Sequence, residues 1–404
     1  MATAKGQGVA ADLFRHCSHP RANEYHLAES LGLLPFFREM ASASAPVVSY
    51  EGRPTIMLGS NNYLGLTTDR RVTKAATEAI DRYGTGCTGS RLLNGTLPLH
   101  RELEEELADW VRAEACLVFT TGYAVNLSTI STLVEPEDAV FVDASSHASI
   151  LDGAHQAEGA VRYFRHNSVT SLRRRVEEWA ADSKGGALVA VDSVYSMEGD
   201  IAPIAPLAAV CQELGARILV DEAHALGVVG PSGAGVAAGV GVQPDLVMGT
   251  FSKSLASCGG FLAGPKPVID YLRLAARPFL FTASGVPAAL GAALAAARVA
   301  RAEDWRRDAI HGHVARLCKG LTELGYQVPD GLGAAIVPIN IGDDWEAGRL
   351  WRRLLDLGVY TNCVIAPAVR RRGAMLRTSV MATHTEAQID QALDAFEQAR
   401  KETS

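Results

Sequence analysis

The segment RILVDEAH, residues 217–224, carries the pattern that predicts the fold: an apolar run followed at once by acidic and histidine side chains. Similar apolar runs recur between about residues 115 and 265, separated by longer segments with helical character. They are ACLVF (115–119), AVFVD (139–143), ALVAVDSVYS (187–196), LVMGT (246–250) and GGFLAG (259–264). Because continuous rather than alternating apolarity indicates burial on both faces, these runs predict an α/β fold with a mainly parallel sheet between layers of helices.

The segments on either side of this region predict two further parts of the molecule. Residues 1–50 are expected to form an N-terminal helical arm, because an apolar stretch there precedes the small, polar sequence ASASAP (41–46). After about residue 285 the pattern becomes helix, strand-like runs and a final helix, which predicts a small α+β domain. We therefore expect a large domain at residues 51–285 and a small C-terminal domain at residues 286–404.

Composition and charge exclude several classes of protein. The 404-residue chain has 45 acidic and 38 basic residues, a net charge of −7, which argues against electrostatic binding of nucleic acid. Its seven cysteines lack CxxC or histidine-paired spacing, which argues against a disulfide framework and against a zinc site. The longest apolar window, residues 286–297, is too short and too rich in Ala and Gly to span a membrane, and the N-terminus lacks the apolar core of a signal peptide. We therefore expect a cytoplasmic protein.

Three chemically distinctive side chains follow predicted strands. The segment MGTFSKS (248–254) places Lys253 just after one strand, and DEAH places Asp221 at the end of another, with His224 three residues later. His147 lies at a third strand exit. Each feature alone is most often structural: a solvated lysine, a helix-capping aspartate or a loop histidine. Because ligands collect beyond the carboxyl ends of parallel strands, the three together predict one site.

Pyridoxal 5′-phosphate (PLP) accounts for these residue types together. The cofactor needs a lysine to bind its aldehyde, an acid beside its pyridine nitrogen and a flat group over its ring. Lys253, Asp221 and His147 match these needs in that order. An aspartate beside the ring nitrogen keeps that nitrogen protonated, so that the ring withdraws electrons from an attached carbon.

A binding place for the phosphate is also predicted. In TTGYAVN (120–126), a strand exit joins the start of a helix, and Gly122 allows backbone N–H groups to approach an anion there. The hydroxyls of Thr250 and Ser252 lie beside Lys253 in the sequence. A short glycine turn alone is weak evidence for a phosphate site. The nearby candidate cofactor lysine, Lys253, makes this interpretation stronger.

Eight segments in order resemble the α-oxoamine synthase family of fold-type-I PLP enzymes and, within it, the bacterial serine palmitoyltransferases. They are LGSNNYLGL (58–66), YGTGCTGSRLLNGT (83–96), SHASILDG (146–153), SVYSMEGDIAP (193–203), VDEAHALGVVG (220–230), GTFSKS (249–254), RPFLFTAS (277–284) and LRTSVMATHT (376–385). The resemblance covers roughly residues 50–400. It implies a seven-stranded type of sheet in the large PLP-binding domain and a small C-terminal α+β domain.

The resemblance also implies a role for each matching side chain. Lys253 would bind the cofactor and shuttle the proton at the substrate α-carbon, Asp221 would pair with the pyridine nitrogen, and His147 would stack on the ring. The other implied contacts are His224 and Ser196 with the ring hydroxyl; Gly122, Tyr123, Thr250 and Ser252 with the phosphate; Thr282, Ala283 and Ser284 with the phosphate in the other subunit of a homodimer; and Asn62 and Arg377 with the amino-acid carboxylate.

The implied reaction is the decarboxylative condensation of a small amino acid with an acyl thioester, which gives an α-amino ketone. Serine is favoured, with glycine and alanine as alternatives, and the thioester is carried by coenzyme A or by acyl carrier protein. A fold-type-I aminotransferase or retro-aldol lyase needs the same lysine, acid and ring-stacking group, and a scaffold that has lost catalysis is a third reading. The segments SVYSMEGD, GTGCTGSR and RPFLFTAS favour the synthase.

Two features depart from the family pattern. In CVIAPAV (363–369), Val364 stands where serine palmitoyltransferases and some relatives have an arginine. Either Arg377 alone handles the carboxylate, or the amino acid is not serine. The basic run Arg370–Arg372 replaces the usual Pro-Gly turn. It is either a solvated loop or a contact for the phosphates of coenzyme A or the acidic face of acyl carrier protein.

Overall fold

The computed structural model describes residues 12–18 and 20–403 of the chain. Its strands are β1 (Val47–Tyr50), β2 (Arg53–Met57), β3 (Ala115–Phe119), β4 (Ala139–Asp143), β5 (Ala160–Phe164), β6 (Ala187–Asp192), β7 (Arg217–Asp221), β8 (Leu246–Thr250), β9 (Gly260–Gly264), β10 (Ile336–Gly342), β11 (Val359–Tyr360), β12 (Asn362–Val364) and β13 (Ala374–Ser379). Its α-helices are α1 (Pro20–Ser30), α2 (Arg70–Tyr83), α3 (Pro98–Trp110), α4 (Gly122–Leu133), α5 (Ala148–Gln156), α6 (Val169–Ala180), α7 (Ile204–Leu214), α8 (Val236–Gly239), α9 (Lys266–Ala275), α10 (Arg277–Leu280), α11 (Pro287–Ala302), α12 (Asp304–Glu323), α13 (Asp344–Asp356) and α14 (Glu386–Thr403). Short 3-10 helices cover Leu13–Ser18 and Pro231–Gly233.

The central sheet has seven strands in the order β3-β9-β8-β7-β6-β4-β5. The pairs from β8 to β5 are all parallel, whereas β9 runs antiparallel to both of its neighbours. Strands β4, β8 and β9 are buried at every residue. The predicted mainly parallel sheet is thus confirmed.

Hydrophobic clusters cover both faces of this sheet. In β4, Ala139 and Phe141 belong to one cluster and Val140 and Val142 to the other, because successive side chains of a strand point to opposite faces. The first cluster includes side chains of α3, α6 and α7, and the second includes side chains of α4, α5 and α9. The buried apolar runs of the sequence therefore correspond to a sheet enclosed by helices.

Two three-stranded sheets accompany the central one, in the orders β1-β2-β11 and β10-β13-β12. Strand β11 pairs in parallel with β2. A segment near the C-terminal end of the chain therefore pairs with a strand that comes before the central sheet in the sequence. Of the predicted helical arm at residues 1–50, residues 1–11 and 19 lie outside the described residues, and β1 begins at Val47. The domain boundaries at residues 50 and 285 stay predictions.

Helix α11 contains the Ala- and Gly-rich window of the sequence. It packs mainly against α2 and α3. At Gly291 a Cβ atom would lie only 2.6 Å from the Ala75 carbonyl oxygen of α2, so the small residue permits the close approach of the two helices. In the part of the chain that the structure describes, no helix is both long and apolar enough to cross a membrane.

Candidate active site

The carboxyl ends of β4, β6, β7 and β8 meet at one edge of the central sheet, and a cavity of about 300 Å³ opens there. Its lining residues are Thr121, Gly122, Tyr123, His147, Ser149, Asp192, Asp221, Ala223, His224, Met248, Thr250, Ser252, Lys253, Cys258 and Gly259. Eight of them are predicted site residues: Gly122, Tyr123, His147, Asp221, His224, Thr250, Ser252 and Lys253. The structure therefore brings most of the predicted cofactor residues together.

Lys253 is half-buried between the ends of β8 and β9. Burial lowers the pKa of its amine from 10.5 to about 8, with a further contribution from the Arg377 charge, although Asp221 and Asp192 act in the opposite direction. More of the amine is therefore neutral near pH 7 than in an exposed lysine. A neutral amine can bind an aldehyde or accept a proton.

Backbone hydrogen bonds join the two ends of the connection between β8 and β9, which carries Lys253. The Phe251 N–H donates to the Gly259 carbonyl at 2.9 Å, and the Ser257 N–H donates to the Phe251 carbonyl at 2.9 Å. Within it, the Ala256 N–H donates to the Lys253 carbonyl at 3.0 Å. These bonds hold the main chain of the lysine in one place.

Two buried carboxyl groups lie side by side at the ends of β6 and β7. The Asp221 carboxylate accepts hydrogen bonds from Asn126 Nδ2 at 2.7 Å and from the Ala223 N–H at 2.9 Å. Asp192 Oδ2 accepts from the His147 N–H at 3.0 Å. Burial and then the Asp221 charge raise the pKa of Asp192 well above its usual value, which favours a proton on Asp192. Sequence reasoning missed Asp192, although it ends an apolar run as Asp221 does.

Two histidines face the same cavity. His147 precedes α5, and its Nδ1 atom accepts from the Ser149 N–H at 3.2 Å. Its ring centroid lies 6.2 Å from that of Tyr123. The Nδ1 atom of His224 lies 2.7 Å from the hydroxyl of Tyr63. Burial lowers the pKa of both imidazoles, that of His224 well below 6.5, so both are neutral at pH 7.

The beginning of α4 forms a cradle with the end of β8. Thr121 caps the helix, because its hydroxyl accepts from the Ala124 N–H at 3.1 Å. A Cβ atom at Gly122 would lie 2.8 Å from Thr250 Oγ1, so only glycine allows this approach. The hydroxyls of Thr250 and Ser252 are 2.9 Å apart. A helix N-terminus beside two hydroxyls fits a phosphate group, and with the lysine and the acid these residues fit PLP.

Arg377 extends from β13 and is buried. Its Nε atom donates to the Ser196 carbonyl at 2.5 Å, and its Nη2 atom donates to Asn61 Oδ1 at 3.1 Å and to the Tyr63 hydroxyl at 3.3 Å. Its Nη1 atom donates to Ser379 Oγ at 3.3 Å. Ser196 thus meets Arg377 through its main chain, and the predicted contact of its hydroxyl with the cofactor ring stays a prediction.

The structure does not bring Asn62 to Arg377. Its Nδ2 atom donates to the Ser44 carbonyl at 2.9 Å and to Thr67 Oγ1 at 2.8 Å, and its Oδ1 atom accepts from the Leu66 N–H at 3.0 Å. The amide therefore holds its own loop together. The role of Asn62 at the carboxylate stays a prediction, and the contacts of Arg377 favour the neighbouring Asn61, which sequence reasoning missed.

The predicted phosphate contacts of the other subunit lie apart from this cavity. Thr282, Ala283 and Ser284 are not among its lining residues. The Ser284 hydroxyl donates to the Gly95 carbonyl at 2.7 Å, and the Thr282 hydroxyl donates to the Pro278 carbonyl at 2.6 Å. Their predicted role across a subunit interface stays a prediction.

Comparison with known proteins gives three findings in agreement. The family model of aminotransferase class I and II matches residues 53–396. The serine palmitoyltransferase of Caulobacter vibrioides is 40% identical over 375 residues, which cover 92% of this chain and 92% of that protein. The putative 8-amino-7-oxononanoate synthase 2 of Mycobacterium tuberculosis is 41% identical over 388 residues, which cover 95% of this chain and 50% of that protein.

A solved structure of a serine palmitoyltransferase (SPT), with PLP as its internal aldimine, has a similar fold. The TM-score is 0.94 at 38% sequence identity, over 97% of this chain and 99% of that one. The similarity to this PLP-containing structure and the residues that line the 300 Å³ cavity both indicate that PLP is the cofactor.

Proposed function

Because this chain belongs to the aminotransferase class I and II family and, within it, to the α-oxoamine synthases, we propose that it condenses a small amino acid with an acyl thioester to give an α-amino ketone. The observation that carries the proposal is the cavity in which Lys253, with its lowered pKa, lies near the buried Asp221. PLP, when bound, withdraws electrons from the α-carbon of the amino acid and so makes that carbon a nucleophile.

The residues of the cavity have separate tasks in this proposal. Asp221, which Asn126 holds in place, pairs with the pyridine nitrogen and keeps it protonated. The N-terminus of α4 at Gly122, together with the hydroxyls beside it, holds the phosphate. His147 covers the ring, and Lys253 removes the proton from the substrate α-carbon, since burial favours its neutral form.

Arg377 binds the amino-acid carboxylate. Its planar guanidinium can donate two parallel hydrogen bonds to a carboxylate, and Asn61 fixes the orientation of one of its terminal nitrogens. Val364, which is buried, provides no second positive charge near this strand. Serine is the favoured amino acid because the relatives include serine palmitoyltransferases, with glycine and alanine as alternatives.

The basic run Arg370–Arg372 contacts the carrier of the acyl thioester. All three arginines are exposed in the loop between β12 and β13, and β13 continues from this loop to Arg377. Three adjacent positive charges contrast with the chain's net charge of −7. They suit the phosphates of coenzyme A or the acidic face of acyl carrier protein.

Charge reversal of this run tests the contact. Arg370→Glu, Arg371→Glu and Arg372→Glu together are expected to raise the apparent KM for the thioester roughly 10-fold at low salt, because attraction becomes repulsion, and to have less effect at high salt. The KM for the amino acid should stay the same. Reversal of the run Arg173–Arg175 on α6, in which Arg174 and Arg175 are exposed and Arg173 is half-buried, is the matched control. An unchanged thioester KM at low salt would contradict the contact.

A homodimer is the favoured assembly. The segment Thr282–Ser284 is flanked by the exposed apolar side chains of Phe281 and Val286, and Ala283 pairs with Ser90 close to the exposed Leu93. Phe281 and Leu93 are 74% and 79% exposed, which suits burial against a second copy. Sedimentation of the purified protein should give twice the 42.9 kDa chain mass.

We place the enzyme in the cytoplasm. All seven cysteines are free, and three of them, Cys116, Cys211 and Cys363, are buried. Free thiols in this number suit a reducing compartment.

The activity itself is tested by the products. The purified protein, loaded with PLP, should release free thiol and carbon dioxide in equal amounts when serine and an acyl thioester are both present, and neither product when one of them is left out. Glycine and alanine are tested in the same way. Transfer of the amino group to a keto acid, without release of thiol, would instead support the aminotransferase alternative.

A further inference from the structure

Tyr63 lies between the cofactor cavity and Arg377, which are the two parts of the site. Neither the sequence pattern nor the proposed function gives this tyrosine a role. Its side chain has no exposed surface. Its hydroxyl lies 2.7 Å from His224 Nδ1, 3.0 Å from Asn61 Oδ1 and 3.3 Å from Arg377 Nη2. One hydroxyl therefore touches both the histidine in the cofactor cavity and the arginine of the small sheet.

The single proton of this hydroxyl can be assigned by elimination. Arg377 can only donate, so the Tyr63 oxygen accepts from it. The hydroxyl proton then goes either to Asn61 or to His224. Asn61 Oδ1 already accepts from Arg377 at 3.1 Å, and the distance to His224 is the shorter of the two. A hydroxyl that accepts from a cation is also a stronger donor, which favours the nitrogen of His224.

This assignment determines the form of His224. Burial, together with the charges of Lys253 and Arg377, lowers the pKa of the imidazole, so the ring is neutral and carries one N–H. If Nδ1 accepts from Tyr63, the proton is on Nε2. Among the described residues, Nε2 has no hydrogen-bond partner, while His224 lines the cavity. Its N–H is then free to donate to an anionic oxygen inside the cavity.

We infer that Tyr63 is a positioning residue that joins the two halves of the site: its hydroxyl holds His224 in the Nε2–H form and orients Arg377 toward the amino-acid carboxylate. The inference rests on the proposed function, since it assumes that Arg377 binds the carboxylate and that His224 faces the cofactor. A carboxylate that binds Arg377 shares its N–H groups with Tyr63, so amino-acid binding is coupled to the hydrogen bond at His224.

The form of His224 is measured by nitrogen NMR on PLP-loaded enzyme with ¹⁵N-labelled histidine, and the His224→Asn variant assigns the signal. The expected result for the unaltered protein is a protonated Nε2 and an unprotonated Nδ1. In Tyr63→Phe, Nδ1 loses its donor and the ring should become a mixture of both forms. The matched control is Tyr50→Phe in β1, which should leave the signal unchanged. A proton on Nδ1 in the unaltered enzyme would overturn the inference.

The coupling is measured by amino-acid affinity. The dissociation constant for serine, followed by the change in cofactor absorbance, should rise roughly 10-fold in Tyr63→Phe, because a buried donor–acceptor set is broken. Combined with His224→Asn, the two substitutions should raise it by less than the product of their single effects, since they remove the same hydrogen bond. Independent effects would overturn the coupling.

These outcomes separate the inference from the proposed function. If the protein does not bind PLP, or if substitution of Arg377 leaves amino-acid affinity unchanged, the proposed function fails. If PLP and serine bind as expected and Tyr63→Phe behaves like Tyr50→Phe, only the role of Tyr63 fails.

Discussion

The two halves of the site are built in different ways. In the cofactor half, Asp192 and Asp221 are the last residues of β6 and β7, and Lys253 follows β8 at the same edge of the central sheet. The parallel arrangement of these strands therefore brings the three side chains together. In the carboxylate half, Arg377 lies in the middle of β13 in the small sheet β10-β13-β12. Its partners come from distant parts of the chain, Ser196 being 181 residues away and Asn61 316.

The difference implies that topology places the cofactor half, whereas individual long-range hydrogen bonds place the carboxylate half. Apart from the Tyr63 hydroxyl, which contacts both His224 and Arg377, substitutions in one half should then leave the other working. The first two of the following variants test this separation, and the third tests an ion pair beside the site, beginning with the largest expected effect.

Lys253→Ala breaks the cofactor half. Turnover should fall by about 10³-fold or more, because both the amine that binds the aldehyde and the base at the α-carbon are lost. Borohydride reduction followed by mass spectrometry should find PLP attached to the unaltered chain and not to the variant. Lys266→Ala, an exposed lysine at the start of α9, is the control. Normal turnover of Lys253→Ala would refute the role of this lysine.

Arg377→Lys breaks the carboxylate half alone. The KM for the amino acid should rise roughly 10- to 100-fold, because an ammonium cannot replace the two-point contact and the half-buried acceptors at Ser196 and Asn61 lose their donor. Titration with PLP should show cofactor affinity within about 3-fold of the unaltered protein. Arg352→Lys on α13 is the control. If PLP affinity falls in parallel with amino-acid affinity, the two halves are not separable.

His166 links the end of β4 to the loop that follows Ser196, and His166→Gln should have a smaller effect, seen in stability. Its Nδ1 atom lies 2.9 Å from Asp143 Oδ1 at the end of β4, and its Nε2 atom lies 3.0 Å from Asp200 Oδ2 in the loop that follows Ser196. Burial alone would lower the pKa of this imidazole, but hydrogen bonds to Asp143 and Asp200 raise it from 6.5 to about 10. The ring is therefore a cation between two acids at pH 7.

The pH dependence follows from this raised pKa. Because the folded pKa exceeds that of the unfolded chain, the stabilisation is complete below about pH 6.5 and is lost as the pH rises through about 10. His166→Gln should lower the free energy of unfolding by about 2 kcal/mol near pH 6 and by less near pH 10, as measured by urea unfolding. His155→Gln, at an exposed histidine, is the control. An equal loss at both pH values would argue against the ion-pair account.

Much of the central sheet could be predicted from the sequence. The runs ACLVF, AVFVD and LVMGT coincide with β3, β4 and β8 residue for residue. Their continuous apolarity reflects burial on both faces. Strand β5 was missed because it lies at the edge of the sheet, where Arg162 and Tyr163 are exposed and interrupt the apolar pattern.

The site was predictable to the extent that its residues follow strand ends. Lys253 and Asp221 obey that rule, and Asp192 does too, so the same rule would have found it. Asn61 and Tyr63 could not be found in this way. Their contacts with Arg377 depend on how the small sheet packs against residues more than 300 positions earlier in the chain, and no local pattern distinguishes Asn61 from Asn62.

The connection between β8 and β9 has a practical consequence for redesign. Its main chain is closed by hydrogen bonds at both ends, and the strands that flank it pair with each other. Inserting residues in this connection would break the closure and displace the reactive amine. Changes in substrate preference are therefore better sought in the loop after Val364, which is separate from the connection that carries Lys253.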